Sequence, residues 1–512
     1  MSAAADLSRP VATVHAGPPS GVAWFDGDVA RAFDVARKQN KPVFVYFGAV
    51  WCPPCQELKA TIFRRKDFLD RLSLFVPVYL DGDAPDAQRW ADEFRVEGYP
   101  TVLILRSDRS EIERVSGGMD LSRYAELLDD TAAAAHPIEA ILASFNAGER
   151  LNLNDCRILA YNGWQLDPSW TDGDENPRAL THLADMLARS SEACPPTARI
   201  ERARLDVTAA AAAADLEAAA LKSGKYPSTR LSSAVTRVRA LLDEAAAKEI
   251  GDTLIELPRE FFVAADRLDR GSAAALEKSY VALMDRLASD ARYSTAMQLY
   301  ALMQEIAAAQ ALEPSGKAPQ PMIDKARQRM ELELRQVHEP YARTSVVNAA
   351  LNLLDQLGDQ ERSYSLLLTE VKTSSTPYYY MSDLGELEEK RGHRDASIEW
   401  LARGYRESRG SATRIQWGSA YVRGLIRMRP ADEKAIRVGA LEVFTDLGDG
   451  TQIHGRNRYA LERLAIAING WNRDGKHAAT VRDLRASLGR MCQGISRDDS
   501  ANEACRKVLG QI

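Results

Sequence analysis

The chain is 512 residues long, which is enough for about two to four domains with their own cores. Its 45% hydrophobic and 27% charged residues are typical of a soluble globular protein, and its net charge of -6 argues against a general nucleic-acid binder. No apolar run reaches the roughly 18 residues that a membrane-spanning helix needs. We therefore expect no nucleic-acid partner and no membrane span.

Residues 1–21 are rich in Ala, Ser, Pro and Gly, and they predict a flexible lead-in. They contain no apolar segment typical of an export signal. Two explanations stay open: the protein remains in the cytosol, or an export signal has been replaced by Met1.

Residues 22–135 alternate between helix and strand patterns, which predicts one α/β domain. Asp28 is placed to cap a first helix that carries Ala32 and Phe33 on its apolar face. The predicted order is helix, strand, helix, strand, helix, strand, strand, helix. The predicted strands are residues 42–47, 74–80, 102–105 and 112–115, the last of them at the edge of the sheet.

The motif Trp51-Cys52-Pro53-Pro54-Cys55 follows the first strand and opens the second helix. A cysteine at a helix N-terminus is stabilised as a thiolate by the helix dipole, and a second cysteine three residues later can close a disulfide with it. Zinc sites use the same spacing, but they need about four ligands, and no second CxxC or HxxxH is present. The pattern therefore favours a redox dithiol over a metal site.

These features resemble the thioredoxin superfamily over about residues 22–133. The resemblance rests on the CxxC motif, on Asp81 after the second strand, and on Gly98-Tyr99-Pro100-Thr101 before the third. The segment Lys41–Phe47, followed later by Ala60-Thr61-Ile62-Phe63, most resembles a branch that includes the C-terminal thioredoxin-like domain of the bacterial membrane thiol–disulfide interchange reductase.

The resemblance implies a role for each residue of the motif. Cys52 would be the exposed, attacking thiolate and Cys55 the buried thiol that resolves the mixed disulfide. Trp51 would shield the site, while Tyr99 and a cis Pro100 would form the platform for a substrate cysteine. Plain packing roles for Trp51 and Tyr99 stay open.

Tyr46 stands where many relatives place a buried carboxylate that assists proton transfer to the resolving thiol. Glu57 is a substitute on spacing alone, and the other interpretation of Glu57 is a solvated helix residue. Pro53-Pro54 supplies no hydrogen-bond donor to the thiolate, which favours a reductase or thiol carrier over an oxidant.

From residue 138 onward the apolar residues recur at helical spacing, and we predict helical domains at 138–312 and 322–512. Gly358 and Gly392 begin similar tetrapeptides 34 residues apart, the period of a tetratricopeptide repeat. The second domain is therefore predicted to be repeat-like, with an irregular helical bundle as the alternative. Tyr378-Tyr379-Tyr380 is interpreted either as a peptide groove or as aromatic packing between helices.

Four further cysteines bear on the compartment. Cys492 and Cys505 flank a predicted helix connection that a disulfide would close, and Cys156 and Cys194 would form the other pair. The alternative is four buried free thiols. Paired cysteines favour an exported, periplasmic or otherwise oxidising setting, with the cytoplasm as the alternative.

The sequence thus predicts a thiol–disulfide oxidoreductase that acts on protein disulfides, receives electrons from an upstream reductant and holds partners with its helical region. We expect no cofactor and no metal. The alternative function is a holdase or scaffold whose helical repeats bind client proteins, with an accessory redox domain.

Overall fold

The computed structural model describes residues 17–84, 86–115, 120–134, 136–171, 177–242, 244–497 and 499–512. The predicted lead-in lies outside the described residues up to residue 16.

The N-terminal part is an α/β domain whose elements follow the predicted order, with one additional short helix. They are α1 (Val29–Gln39), β1 (Val43–Gly48), α2 (Pro53–Ala60), α3 (Lys66–Leu72), β2 (Val76–Asp81), α4 (Ala87–Glu93), β3 (Thr101–Leu105), β4 (Glu111–Val115) and α5 (Arg123–Ala132), with a 3-10 turn at Ile62–Arg64.

The four strands form one mixed sheet in the order β2-β1-β3-β4. Strand β1 pairs in parallel with β2, with Val45 opposite Val78, and antiparallel with β3, where Val45 faces Leu103. Because β1 is central, its residues are buried on both faces, as its continuous apolar sequence predicts. This sheet confirms the predicted thioredoxin-like fold class.

The two faces of the sheet are packed by different helices. Val43, Val45 and Phe47 lie in a cluster with residues of α1 and α4. Phe44 and Tyr46 point to the other face, where they join residues of α2, α3 and α5 and the helical region beyond. Helix α1 begins at its predicted cap, since the Asp28 carboxylate accepts the backbone N–H of Arg31 at 2.8 Å.

The rest of the described chain is helical, as predicted. Its first half comprises α6 (Ile138–Asn146), α7 (Leu153–Tyr161), α8 (Pro168–Thr171), α9 (Pro177–Ala193), α10 (Arg199–Lys222), α11 (Thr229–Leu242), α12 (Gly251–Leu254), α13 (Arg259–Leu268), α14 (Arg270–Leu287) and α15 (Thr295–Leu312), with 3-10 turns at Trp164–Leu166 and Ala245–Glu249.

The second half of this helical region follows the predicted break at 313–321. It comprises α16 (Gln320–Gln336), α17 (Pro340–Gln356), α18 (Gln360–Thr373), α19 (Pro377–Lys390), α20 (Arg394–Glu407), α21 (Ser411–Met428), α22 (Glu433–Asp446), α23 (Gly455–Trp471), α24 (Ala478–Gly494) and α25 (Ser500–Gln511).

Two consecutive helix pairs repeat with the predicted period. Helices α18 and α20 begin 34 residues apart, and so do α19 and α21. Gly358 and Gly392, which precede α18 and α20, both have the positive φ that glycine adopts without strain. The next helices do not keep this spacing, and the assignment to the tetratricopeptide class stays a prediction.

The α/β domain packs closely against the helical region. Helix α2 lies on α17, and α4 lies on α23. One hydrophobic cluster extends from Phe44 through the helices to Leu354, and another is formed by residues between Ile398 and Ile512. The first cluster contains residues on both sides of the predicted boundary at 313–321, and the domain limits stay predictions.

Two disulfides lie within the helical region. Cys156 on α7 is bonded to Cys194 after α9, and Cys492 on α24 is bonded to Cys505 on α25. Among the described helices, none combines the length and the apolar composition needed to cross a membrane.

Candidate active site

The CxxC motif lies where β1 ends and α2 begins. Cys52 is the N-cap residue of α2, and its Sγ accepts the backbone N–H of Cys55 at 3.2 Å. The two cysteines form a disulfide with a Cα–Cα distance of 5.2 Å. The Gln56 side-chain amide donates to the carbonyls of Ala49 and Val50, which fixes the loop before the motif. The first cysteine therefore lies in the positive field of a helix N-terminus.

The loop before β3 supplies the other wall of the site. The Tyr99–Pro100 peptide bond is cis, and Pro100 is buried. The Tyr99 ring lies 6.2 Å from the Trp51 ring, and its hydroxyl accepts from the Gln88 amide at 2.9 Å. The structure thus places Trp51 and Tyr99 together at the cysteine pair.

Residues from the helical region close over this site. Tyr378 belongs to the same buried cluster as Cys52 and Cys55, and Tyr379 and Trp417 pack against that cluster. The Trp51 ring is stacked with Tyr379 at 6.2 Å and meets Trp417 edge-on at 5.3 Å. Aromatic pairs at these separations attract each other beyond the area they bury.

A guanidinium group completes the enclosure. Arg456, at the start of α23, lies 5.4 Å from the Trp51 ring centroid and 5.2 Å from that of Tyr99. It also donates to the Glu97 carbonyl at 3.1 Å. We call Tyr378, Tyr379, Trp417 and Arg456 the cover residues.

The cover residues overturn one expectation about the cysteines. Cys52 was expected to be exposed, but its accessible surface is 1% of the maximum, and that of Cys55 is 0%. The prediction of an exposed Cys52 is wrong because Tyr378 and Tyr379 of α19 and Trp417 of α21, more than 300 residues away in the chain, pack in the cluster that contains it.

Tyr46 and Glu57 have different surroundings. The Tyr46 hydroxyl donates to the Cys55 carbonyl at 3.5 Å, and burial raises the pKa of this phenol above its ordinary value. The solvated interpretation of Glu57 is wrong: its carboxyl group accepts the Ser294 hydroxyl at the start of α15. Burial raises the pKa of Glu57 to about 7, although the Ser294 hydrogen bond acts in the opposite direction.

Asp83 joins the two parts of the protein beside the site. Its carboxylate accepts the backbone N–H of Thr413 at 2.7 Å and the hydroxyl of the same residue at 2.8 Å. The N-cap residue of α21 is Gly410, which has no side chain to serve this purpose. A carboxylate of the α/β domain therefore caps a helix of the helical region.

A cleft of about 750 Å³ opens next to the cover residues. Val50, Asp81 and Asp83 line it from the α/β domain, and Tyr378 and Arg409 line it from the helical region. Its volume lies in the range of about 300–1,000 Å³ that is usual for ligand pockets.

The cover residues were the part of the site that sequence reasoning missed. The run Tyr378-Tyr379-Tyr380 was a usable signal, and two of its rings do pack at the site, whereas Tyr380 lies in a separate cluster. Arg456 had no signal in the sequence. Over the ranges that the structure describes, no group of three or more Cys, His, Asp or Glu residues is arranged to hold a metal ion.

The fold and the cysteine pair define the class of thioredoxin-like dithiol proteins. The family described as thioredoxin-like domain matches residues 29–132. A thioredoxin H-type from Brassica oleracea is 31% identical over 102 residues, which are 20% of this chain and 76% of that protein. By this match the chain belongs to the thioredoxin family.

Two other relatives are larger proteins. The thiol:disulfide interchange protein DsbD of Pseudomonas fluorescens is 27% identical over 142 residues, which are 25% of this chain and 24% of the relative. A protein disulfide-isomerase from Medicago sativa is 32% identical over 106 residues, 20% of each chain. The chain thus spans about a quarter or less of the length of these two relatives.

Proposed function

We propose that this protein is a thiol–disulfide oxidoreductase, a reductase or thiol carrier that acts on protein disulfides. The observation that supports this most directly is the Cys52–Cys55 disulfide at the N-terminus of α2, with Trp51 and Tyr99 packed around it and a cis bond before Pro100 in the loop that carries Tyr99. The names of the relatives, thioredoxin and thiol:disulfide interchange protein, agree with this class.

The reaction starts from the reduced protein. The Cys52 thiolate attacks one sulfur of a substrate disulfide, forms a mixed disulfide and releases the other substrate sulfur as a thiolate. Cys55, after loss of its proton, attacks the Cys52 Sγ and releases the second substrate thiol. The Cys52–Cys55 disulfide that results has given two electrons to the substrate, and an upstream dithiol protein must reduce it again.

The helix terminus supports Cys52 as the attacking group. The backbone N–H of Cys55 points at its Sγ, so a thiolate there gains a charge-assisted hydrogen bond. Cys55 lies in the first turn of α2 and is completely buried, which suits the resolving role. The dipeptide Pro53-Pro54 provides no hydrogen-bond donor to the thiolate, which favours a reductase over an oxidant.

Cysteine variants test this function. Cys52→Ser is expected to abolish the reduction of a protein disulfide such as that of insulin, because the attacking thiol is gone. Cys55→Ser is expected to accumulate mixed disulfides through Cys52, visible on non-reducing gels. Full activity of Cys52→Ser would overturn the proposal, and Cys156→Ser with Cys194→Ser is the matched control for loss of cysteines outside the motif.

A second candidate function is a holdase or scaffold with an accessory redox domain, and the burial of Cys52 favours it. The Cys55→Ser experiment separates the two. A redox enzyme traps cysteine-containing proteins that are released by reductant, whereas a scaffold holds partners that remain bound after reduction.

We also propose an exported, oxidising setting such as the bacterial periplasm. The two disulfides of the helical region support it, since such bonds persist mainly outside the cytosol. The helical domains proposed at 138–312 and 322–512 would then hold the partner beside the redox domain.

A further inference from the structure

The cover residues obstruct the reaction that the proposed function requires. A substrate sulfur has to approach Cys52 Sγ in line with the bond that breaks. Cys52 is only 1% exposed, and Trp51, its neighbour, lies beneath Tyr379 and Trp417. A protein disulfide therefore cannot reach Cys52 while the cover residues stay in place.

Polar contacts at the N-terminal ends of α21 and α23 hold Trp417 and Arg456, the cover residues of these two helices, against the α/β domain. At α21, Asp83 accepts two hydrogen bonds from Thr413. At α23, the backbone N–H of Arg456 donates to the Gln88 side chain at 3.0 Å. The next contact outward is His454, whose Nδ1 lies 2.9 Å from the Asp92 carboxylate.

The cover residues on α21 and α23 belong to a unit with its own core. These helices lie in the hydrophobic cluster between Ile398 and Ile512, which is separate from the cluster that extends from Phe44 to Leu354. A movement of α20 to α25 as one unit would thus leave both large clusters intact and would separate α20 from α19, the helix that carries Tyr378 and Tyr379. Such a movement breaks the hydrogen bonds at the helix ends and separates the aromatic rings around Trp51.

The surface beneath the cover residues is aromatic and acidic. Trp51 and Tyr99 form its centre, and Asp83 and Asp92 lie at its margin. The helical region meets it with aromatic rings, with Arg456, and with Arg458, which lies 3.3 Å from Asp92. The two surfaces are complementary in charge, as the surfaces of binding partners are.

We propose that the cover residues occupy the substrate-binding face of the thioredoxin-like domain, and that a protein substrate displaces them with a basic, aromatic surface around its own cysteine. This inference rests on the proposed function, because it concerns the substrate of the same cysteine pair. The cover residues then act as an internal competitor, so a substrate that lacks this surface does not reach Cys52.

Gly410 offers a way to lift the cover residues without touching them. It has a φ of +88°, and a Cβ there would collide with the Asp83 carboxyl group. Gly410→Ala therefore pushes Asp83 away from Thr413. Gly392→Ala is the matched control: Gly392 has a φ of +81° but open space around the added Cβ. The two variants share the backbone strain and differ in the clash.

The first measurement is the rate at which a bulky maleimide alkylates Cys52 in the reduced full-length protein, read from the mass of the peptide that contains it. We expect Gly410→Ala to react about tenfold faster than wild type, since the hydrogen bonds from Thr413 to the Asp83 carboxylate are broken. Gly392→Ala should react like wild type. Equal rates in all three proteins would overturn the proposal.

A second pair of variants guards against misfolding of Gly410→Ala. Arg456→Ala removes a cover residue, and Arg437→Ala removes an exposed arginine of the same helical unit that pairs with Asp483. Of these two variants, we expect only Arg456→Ala to show faster alkylation of Cys52 than wild type. The same rate in Arg456→Ala and Arg437→Ala contradicts the role of the cover residues.

The second measurement concerns the partner. Two disulfide-closed peptides of equal length are compared, one with Arg and Trp beside its cysteines and one with Glu and Trp. We expect reduced wild-type protein to reduce the basic peptide about tenfold faster at low salt, with the difference shrinking as salt rises. Equal rates would refute the basic partner.

The two proposals fail in different ways. If Gly410→Ala exposes Cys52 to maleimide but reduces neither peptide, the proposed function fails and the covering role stands. If Gly410→Ala and wild type reduce both peptides with the same rates and Cys52 is equally reactive in both, the covering role fails and the oxidoreductase stands.

Discussion

Glu57 is the residue whose chemistry depends most on its surroundings. It lies two residues after Cys55 on α2, and the Ser294 hydroxyl at the N-terminus of α15 donates to its carboxyl group. Burial in this junction raises its pKa to about 7, above its ordinary value of 4.5. The carboxyl group thus binds its proton more tightly in the folded protein than in the unfolded chain.

This shift predicts a pH dependence of stability. The stabilisation from protonated Glu57 is complete below about pH 4.5 and is lost as the pH rises to about 7, because only the unfolded chain releases the proton in that window. Across this pH window, the free energy of unfolding of wild type should fall by about 1–3 kcal/mol relative to that of the Glu57→Gln variant. Denaturant titrations at several pH values measure the difference, and parallel curves for the two proteins would contradict it.

At the scale of elements, the free edge of strand β4 is hydrogen-bonded by residues of the helical region. Strand β4 is the outermost strand, yet its outer edge is bonded. The backbone N–H of Arg114 donates to the Asn162 side chain at 2.9 Å, and the Arg114 carbonyl accepts from Gly163 at 2.6 Å. The exposed edge of a sheet can pair with a strand of another chain, and Asn162 and Gly163 prevent this by bonding to the edge of β4.

Asn162→Ala should therefore destabilise the protein. It leaves the buried Arg114 N–H without its acceptor, for which we expect a loss of about 1–3 kcal/mol in the free energy of unfolding. Asn352→Ala is the matched control, because that exposed amide donates to the Tyr300 hydroxyl at the surface. We expect it to change stability by less than about 0.5 kcal/mol. Similar losses in both variants, measured by urea unfolding, would contradict a special role for the strand edge.

At the scale of the whole molecule, the disulfides outside the motif constrain the helical region. Cys156–Cys194 closes a loop with a sequence separation of 38, and Cys492–Cys505 one of 13. A longer closed loop removes more conformational freedom from the unfolded chain.

Removing each disulfide should thus have a graded effect. We expect the Cys156→Ala/Cys194→Ala variant to lose about 4 kcal/mol of stability and Cys492→Ala/Cys505→Ala about 3 kcal/mol. Denaturant unfolding without reductant gives both values, and peptide mapping of the non-reduced wild type checks the bonding. Free thiols at these four positions would support a cytosolic location instead of an exported one, and they would contradict the predicted losses of stability.

Much of the α/β domain was predictable because its signals are local. The apolar run of β1, the Asp28 cap and the CxxC spacing each report on residues a few positions apart, and the structure confirms the resulting fold. The helical character of the second part was predictable for the same reason, since a period near 3.6 residues needs no knowledge of the partner helix.

The sequence by itself thus determined which residues form the thioredoxin-like fold and where its cysteine pair lies. Only the tertiary structure decided how accessible that pair is and in which environment Glu57 titrates. Both depend on residues more than 200 positions away, Ser294 for Glu57 and the cover residues for Cys52. Burial and electrostatics are set by all the groups that meet in space, whereas periodicity and capping are set by neighbours along the chain.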